Sequence, residues 1–127
     1  MERISFSEWA KRRAKSFTHA GRGVLLLCLT QWNFRIHLIA ALVAVSLGFY
    51  FHISAIEWVI LATVIGLVLC AEALNTAIER MVDLLEPDHH PVARDAKDLA
   101  AAAVLIASIC AAIIGVLLFG PRMMHIL

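Results

Sequence analysis

The chain has 127 residues, of which 61% are hydrophobic and 17% are charged, and its formal net charge is +1. This apolar content, with a mean hydropathy of +0.83, excludes a soluble globular domain of this size, and the length excludes two domains. We therefore predict a single membrane domain over residues 1–127, because the surplus of apolar side chains requires contact with lipid.

Residues 1–31 differ from the rest of the chain because basic side chains are interspersed among apolar ones. The pattern is typical of an amphipathic helix that lies on a membrane surface, and the apolar run at 24–29 is too short for a signal peptide. Two roles are open for this helix, a surface anchor or a cover over the active face of a later helix. The basic residues are Lys11, Arg12, Arg13 and Lys15.

Three apolar segments follow, at residues 34–52, 56–85 and 99–120, and they predict three transmembrane helices. Lys and Arg residues precede residue 38 or lie between residues 80 and 97, with the exception of Arg122. Because positive charge marks the cytoplasmic side, we predict a cytoplasmic N-terminus and an external C-terminus. The predicted fold class is an all-α integral membrane protein with an N-terminal amphipathic surface helix and three transmembrane helices.

The segment 72–83 is the most informative part of the sequence, because it places four polar residues on one face of a helix. At about 100° per residue they fall within a stripe of roughly 80° that starts inside the apolar run and ends beyond it. An ionisable side chain within the membrane is costly and indicates a functional site, although Glu72 and Asn75 could instead form hydrogen bonds between helices. We name these residues the polar stripe: Glu72, Asn75, Glu79 and Asp83.

A second polar cluster, formed by Arg94, Lys97 and Asp98, lies just before the third transmembrane segment. A short connection joins it to the polar stripe, so we expect the two groups to face each other at the cytoplasmic boundary. Asp98 has an alternative role, since an acidic residue near a helix N-terminus stabilises the helix dipole.

These two groups suit a reaction between a lipid alcohol in the membrane and a phosphoryl donor in water. Glu72 would accept the proton of the hydroxyl, while Glu79 and Asp83 hold Mg²⁺ against the triphosphate of ATP. The Gly-Arg-Gly at 21–23 lacks the Lys and Ser or Thr of a phosphate-binding loop. If a nucleotide binds, metal ions and basic side chains must therefore hold it, and Arg22 and Lys97 are predicted to be among these side chains.

Several motifs in the chain are found together in one known family. The segment 72–83 reads Glu-Ala-Leu-Asn-Thr-Ala-Ile-Glu-Arg-Met-Val-Asp, and it is followed by His90-Pro91 and by Ala96-Lys97-Asp98. Asn33-Phe34-Arg35-Ile36-His37 stands ahead of the first crossing. Over residues 16–120 the chain resembles the small prokaryotic diacylglycerol kinase and undecaprenol kinase family.

The resemblance implies a homotrimer in the bacterial inner membrane, with active sites at the subunit boundaries. It implies that Glu72 is the general base, that Asn75 supports it and that Glu79 binds the metal. Three further residues would then line the nucleotide pocket beside Glu79: Asp83, Lys97 and Asp98.

One position departs from the family pattern. In the family, a Glu that shares the metal stands three residues before the Phe of the Asn-Phe-Arg motif, and here Gln31 occupies that position. Gln keeps one carbonyl ligand but lacks the charge, so the predicted Mg²⁺ site, Glu79 and Gln31, has one carboxylate fewer. The alternative is that a water molecule or Asp98 compensates.

The sequence therefore predicts an ATP-dependent lipid kinase. The residues of its motifs favour undecaprenol as the substrate over diacylglycerol, whose phosphorylation gives phosphatidic acid. The alternative from another class is a non-catalytic membrane subunit. Alanines of the third crossing have two possible roles, close helix packing or a groove for a slender polyisoprenyl chain. These alanines are residues 100–103, 107, 111 and 112.

Overall fold

The structure is a computed structural model that describes residues 5–86 and 90–125. The described residues form four α-helices and no strand, as the predicted fold class requires. The chain divides into two compact units, Met1–Trp32 and Asn33–Leu127.

The N-terminal unit consists of helix α1, Phe6–Thr30. Its start is stabilised by Glu8, whose Oε2 accepts a hydrogen bond of 3.2 Å from the backbone N–H of Ser5. The Trp9 ring stacks on Phe6 at 5.8 Å between centroids and contacts the Arg13 guanidinium at 5.5 Å. Aromatic residues with this exposure suit the predicted membrane-surface helix, since Phe6 is 80% exposed.

Three longer helices follow: α2 is Trp32–Tyr50, α3 is Ala55–Leu85 and α4 is Pro91–Met124. All three are long and apolar enough to cross a membrane, and they contain most of the three predicted segments. At about 1.5 Å per residue, α3 and α4 are each longer than the roughly 30 Å of a bilayer's hydrocarbon. Both helices therefore extend beyond the apolar layer, which leaves room for polar residues at their ends.

Helices α3 and α4 form an antiparallel hairpin with an ion pair at each end. At one end, Lys97 Nζ lies 2.8 Å from Asp83 Oδ1. At the other, Arg122 Nη2 donates to both carboxylate oxygens of Glu57, at 2.8 and 3.0 Å. Between these pairs the small side chains of α4 allow close packing, as Ala100 and Ala107 are buried.

The connection between α2 and α3 is tight. His52 has a left-handed backbone with φ 48°, and the N–H of Ile53 donates to the carbonyl of Gly48 at 3.2 Å. Ser54 then caps α3 by accepting a hydrogen bond from the N–H of Glu57. A core of four buried residues stabilises this end of the unit: Ile53, Leu61, Leu118 and Phe119.

Candidate active site on helix α3

The polar stripe runs from the protein interior to the surface along α3. Glu72 is 2% exposed and Asn75 is 8% exposed, Glu79 is half-buried, and the side chain of Asp83 is 64% exposed. The helical period predicted that these residues share a face, and the structure adds that the face is covered by protein at one end only. Glu72 is thus shielded from lipid by the packed helices.

The partner of Glu72 comes from another helix. His37 of α2 places its Nε2 atom 3.4 Å from Glu72 Oε1. This distance is slightly longer than that of a formed hydrogen bond, and hydrogen bonds in active sites are often long until substrate binds. The deepest carboxylate of the stripe therefore faces a side chain that can donate a hydrogen bond to it.

Asn75 and Glu79 form a pair within α3. The Asn75 Nδ2 donates to Glu79 Oε1 at 3.0 Å. The two residues are four positions apart, so their side chains are neighbours on the helix surface. The other amide atom, Asn75 Oδ1, is buried and has no hydrogen-bond partner. The predicted support of Glu72 by Asn75 stays a prediction, because the contact in this structure is with Glu79.

The predicted magnesium ion requires oxygen ligands. Within the described ranges, 5–86 and 90–125, no three His, Cys, Asp or Glu side chains form a group that could hold a metal. Mg²⁺ beside a nucleotide needs only one or two carboxylates, because phosphates and water complete its coordination. The Glu79 carboxylate and the unsatisfied Asn75 Oδ1 are oxygens of this kind, so the residues present fit such an ion.

A cleft of about 620 Å³ lies where the stripe reaches the surface. Lys97 contacts Asp83 across it, and Arg94 Nε lies 3.8 Å from Asp98 Oδ2. Because α4 begins at Pro91, Asp98 lies about two turns inside the helix, where the dipole has little effect. The cleft therefore brings together three of the predicted nucleotide residues, Asp83, Lys97 and Asp98, with Glu86 and His90 beside them. Glu79 does not line it.

Two predicted site residues belong to the N-terminal unit. Arg22 is exposed on α1. Gln31 follows the last turn of α1, where its Nε2 donates to Thr30 Oγ1 at 3.4 Å. Their predicted contacts with nucleotide and metal stay predictions.

An apolar cavity of about 270 Å³ lies between α2, α3 and α4. His37 stands among its lining residues, so the cavity adjoins the partner of Glu72. Small side chains make the space, including Ala111 and Ala112 of α4. Ala100 and Ala107 are buried in helix packing, which is the first of the two roles considered for the alanines of α4. A groove for a polyisoprenyl chain stays a prediction.

His37 is the site residue to which the sequence analysis gave no role. The sequence did contain an indication of its role, because a polar residue such as His within a predicted transmembrane helix is a candidate functional residue. The sequence did not reveal its partner, because the residue that faces Glu72 depends on how α2 and α3 pack.

Comparison with known proteins places this arrangement in a family. Residues 18–119 match the family described as prokaryotic diacylglycerol kinase. The chain belongs to this family. It is accordingly a lipid kinase that is embedded in a membrane by apolar helices.

Three relatives show how the family divides. An undecaprenol kinase of Bacillus subtilis is 46% identical over 109 residues, which cover 86% of this chain and 89% of that protein. A diacylglycerol kinase of Synechocystis is 40% identical and covers 88% of this chain and 65% of its own length. The diacylglycerol kinase of Escherichia coli K12 is 35% identical and covers 80% of this chain and 84% of its own.

Proposed function

We propose that this chain transfers the γ-phosphoryl group of ATP to the hydroxyl of a membrane lipid alcohol, and that undecaprenol is its preferred substrate. The observation behind the reaction is the polar stripe, which has a carboxylate at 2% exposure at one end and a polar cleft at the other. A lipid hydroxyl and a water-soluble nucleotide can thus approach the polar stripe from its two ends.

In this mechanism Glu72 accepts the proton of the lipid hydroxyl as the oxygen attacks the γ-phosphorus. A new oxygen–phosphorus bond forms, the bond to the leaving ADP oxygen breaks, and the proton stays on the Glu72 carboxylate. Lys97 and Arg94 bind the phosphates in the cleft, where their positive charges offset that of the nucleotide. Arg22 of the N-terminal unit, Asp83 and Asp98 complete the proposed nucleotide site.

Glu79 and Gln31 would hold Mg²⁺, which neutralises phosphate charge during transfer. The Asn75 amide donates to Glu79 and so orients its carboxylate toward that role. This leaves Glu72 free of the metal and available as the base.

Two observations support undecaprenol. The relative at 46% identity is an undecaprenol kinase, whereas the relatives at 40% and 35% are diacylglycerol kinases. The cavity next to His37 has a volume of about 270 Å³, and five alanines and one glycine are among its lining residues. A space of this size suits one slender chain better than two acyl chains.

We further propose a homotrimer in the bacterial inner membrane, with the whole chain forming one membrane domain and its N-terminus in the cytoplasm. The placement of Lys and Arg supports the orientation. Many large apolar side chains of α2, α3 and α4 are exposed in the single chain, and lipid and neighbouring subunits would cover them.

The experiment compares kcat/KM for undecaprenol and dioleoylglycerol in the same detergent micelles at matched surface concentration, since this ratio measures discrimination. We expect a higher value for undecaprenol. Equal or reversed values would assign the chain to diacylglycerol, the second candidate. No turnover of either lipid would favour the non-catalytic alternative.

Two variants control the assay. Glu72→Gln should lower turnover by about 10² to 10⁴, the usual loss of a general base, while nucleotide binding persists. Glu57→Gln removes a carboxylate from the opposite end of the same helix, so turnover should stay close to that of the parent.

A further inference from the structure

We infer that His37 is a positioning residue for the reaction, because its imidazole holds the Glu72 carboxylate in the orientation that receives the lipid proton. The inference rests on the proposed function, since it assigns a role to a residue that acts through Glu72.

The first observation is the burial of the pair. Glu72 is almost fully buried, with 3% of its side chain exposed, and His37 retains 22%. A carboxylate removed from water needs a hydrogen-bond donor, because an unpartnered buried charge is strongly destabilising. His37 Nε2 lies 3.4 Å from the carboxylate and is placed to be that donor.

The second observation is that the pair joins two helices. Glu72 belongs to α3 and His37 to α2, so the contact fixes the carboxylate relative to a second helix as well as to its own. A flexible Glu side chain has several rotamers, and a donor on a neighbouring helix selects one of them. A misplacement of about 1 Å can cost about 100-fold in rate.

The third observation is the position of His37 beside the apolar cavity. Its side chain is among the residues that line that space and also touches the base. A lipid chain in the cavity would bring its hydroxyl end toward the same pair. His37 therefore stands where the orientation of Glu72 matters for the lipid and not for ATP.

The test is a double-mutant cycle with His37→Leu and Glu72→Gln, with kcat and KM measured for ATP and for undecaprenol. We expect His37→Leu alone to lower kcat by about 10- to 100-fold, with the KM for ATP unchanged. In the Glu72→Gln background, the same substitution should change turnover by no more than about two-fold. Equal losses in both backgrounds would overturn the inference, because His37 would then act independently of Glu72.

Two further substitutions at His37 give a second readout. It can be used even if the turnover of Glu72→Gln is too low to measure or if His37→Leu does not fold. His37→Gln keeps an N–H donor and should retain most of the parent's kcat, whereas His37→Met keeps bulk without a donor and should not. Equal losses for Gln and Met, or a loss confined to the KM for ATP, would contradict the inference.

The matched control is Ser46→Leu. Ser46 lies on the same helix, is exposed, and its hydroxyl donates to Leu42 of its own helix at 2.8 Å. Turnover of this variant should equal that of the parent. Absence of any lipid phosphorylation by the parent would instead count against the proposed function, so the two failures are distinguishable.

Discussion

At the scale of single residues, each carboxylate of the polar stripe has a partner suited to its depth. The deepest, Glu72, faces an imidazole, the next accepts from the neutral amide of Asn75, and the outermost pairs with the ammonium of Lys97. An ammonium is strongly hydrated and its burial is expensive. The ammonium of Lys97 therefore pairs with the carboxylate at the exposed end of the stripe.

The metal site offers a test at this scale through Gln31→Glu. The substitution restores a carboxylate at the proposed Mg²⁺ site, so we expect half-maximal activity at a lower Mg²⁺ concentration, because added negative charge strengthens binding of a hard cation. The measurement is an Mg²⁺ titration of kinase activity at fixed ATP.

Gln31→Ala removes the carbonyl ligand and should move the requirement in the opposite direction. Thr30→Glu adds the same charge one residue earlier and serves as the control for a general electrostatic effect. An unchanged requirement in Gln31→Glu would show that another group already supplies the missing ligand.

The sequence predicted the stripe because a helix has one period, and the angular positions of Glu72 and Asp83 follow from it. It predicted the polar cleft as well, because the connection between α3 and α4 is short. It did not predict that His37 faces Glu72, since a contact between helices depends on their relative rotation and translation. It did not predict the pair of Glu57 and Arg122 for the same reason.

At the scale of elements, the turn between α2 and α3 requires a glycine at position 48, because a side chain there would meet its neighbours. A Cβ atom added at Gly48 would lie 2.8 Å from the Trp58 ring and 3.1 Å from Ile53. Neither group can move easily, because Ile53 is buried and the Trp58 ring contacts Phe49 at 4.8 Å.

We therefore expect Gly48→Ala to destabilise the protein by about 1–3 kcal/mol, the usual cost of overpacking. The free energy of unfolding can be measured by denaturing-detergent titration in mixed micelles. Gly66→Ala is the control, because nothing lies within 4 Å of its added Cβ, and it should be neutral or stabilising by up to about 1 kcal/mol. Equal effects at both positions would show that the Trp58 contact is unimportant.

The predicted segment 56–85 agrees with α3 to within one residue, because an apolar run defines most of that helix. Helix α4 begins at Pro91, eight residues before the predicted segment 99–120, because polar residues precede its apolar run and the local start signal of Pro91 was not used. The need for glycine at position 48 was not accessible to sequence reasoning, since it arises from the ring of a residue on the next helix.

At the scale of the whole molecule, the orientation in the membrane is the property that the placement of charge predicts. A fluorescent protein that folds only in the cytoplasm, fused after the last residue, should give no fluorescence, because three crossings place the C-terminus outside. The same reporter fused before the first residue should fluoresce. A bright C-terminal fusion, with protein levels matched by immunoblot, would contradict the proposed topology.

The continuity of α3 means that the reacting groups are spaced by covalent geometry. Seven residues separate Glu72 from Glu79, or about 10 Å along the axis, and four more lead to Asp83. One inserted residue between Glu72 and Asp83 would rotate these side chains by about 100° relative to each other. Helix α3 therefore fixes both the distance and the angle between them. An insertion between Glu72 and Asp83 would therefore turn the proposed base away from the proposed nucleotide residues.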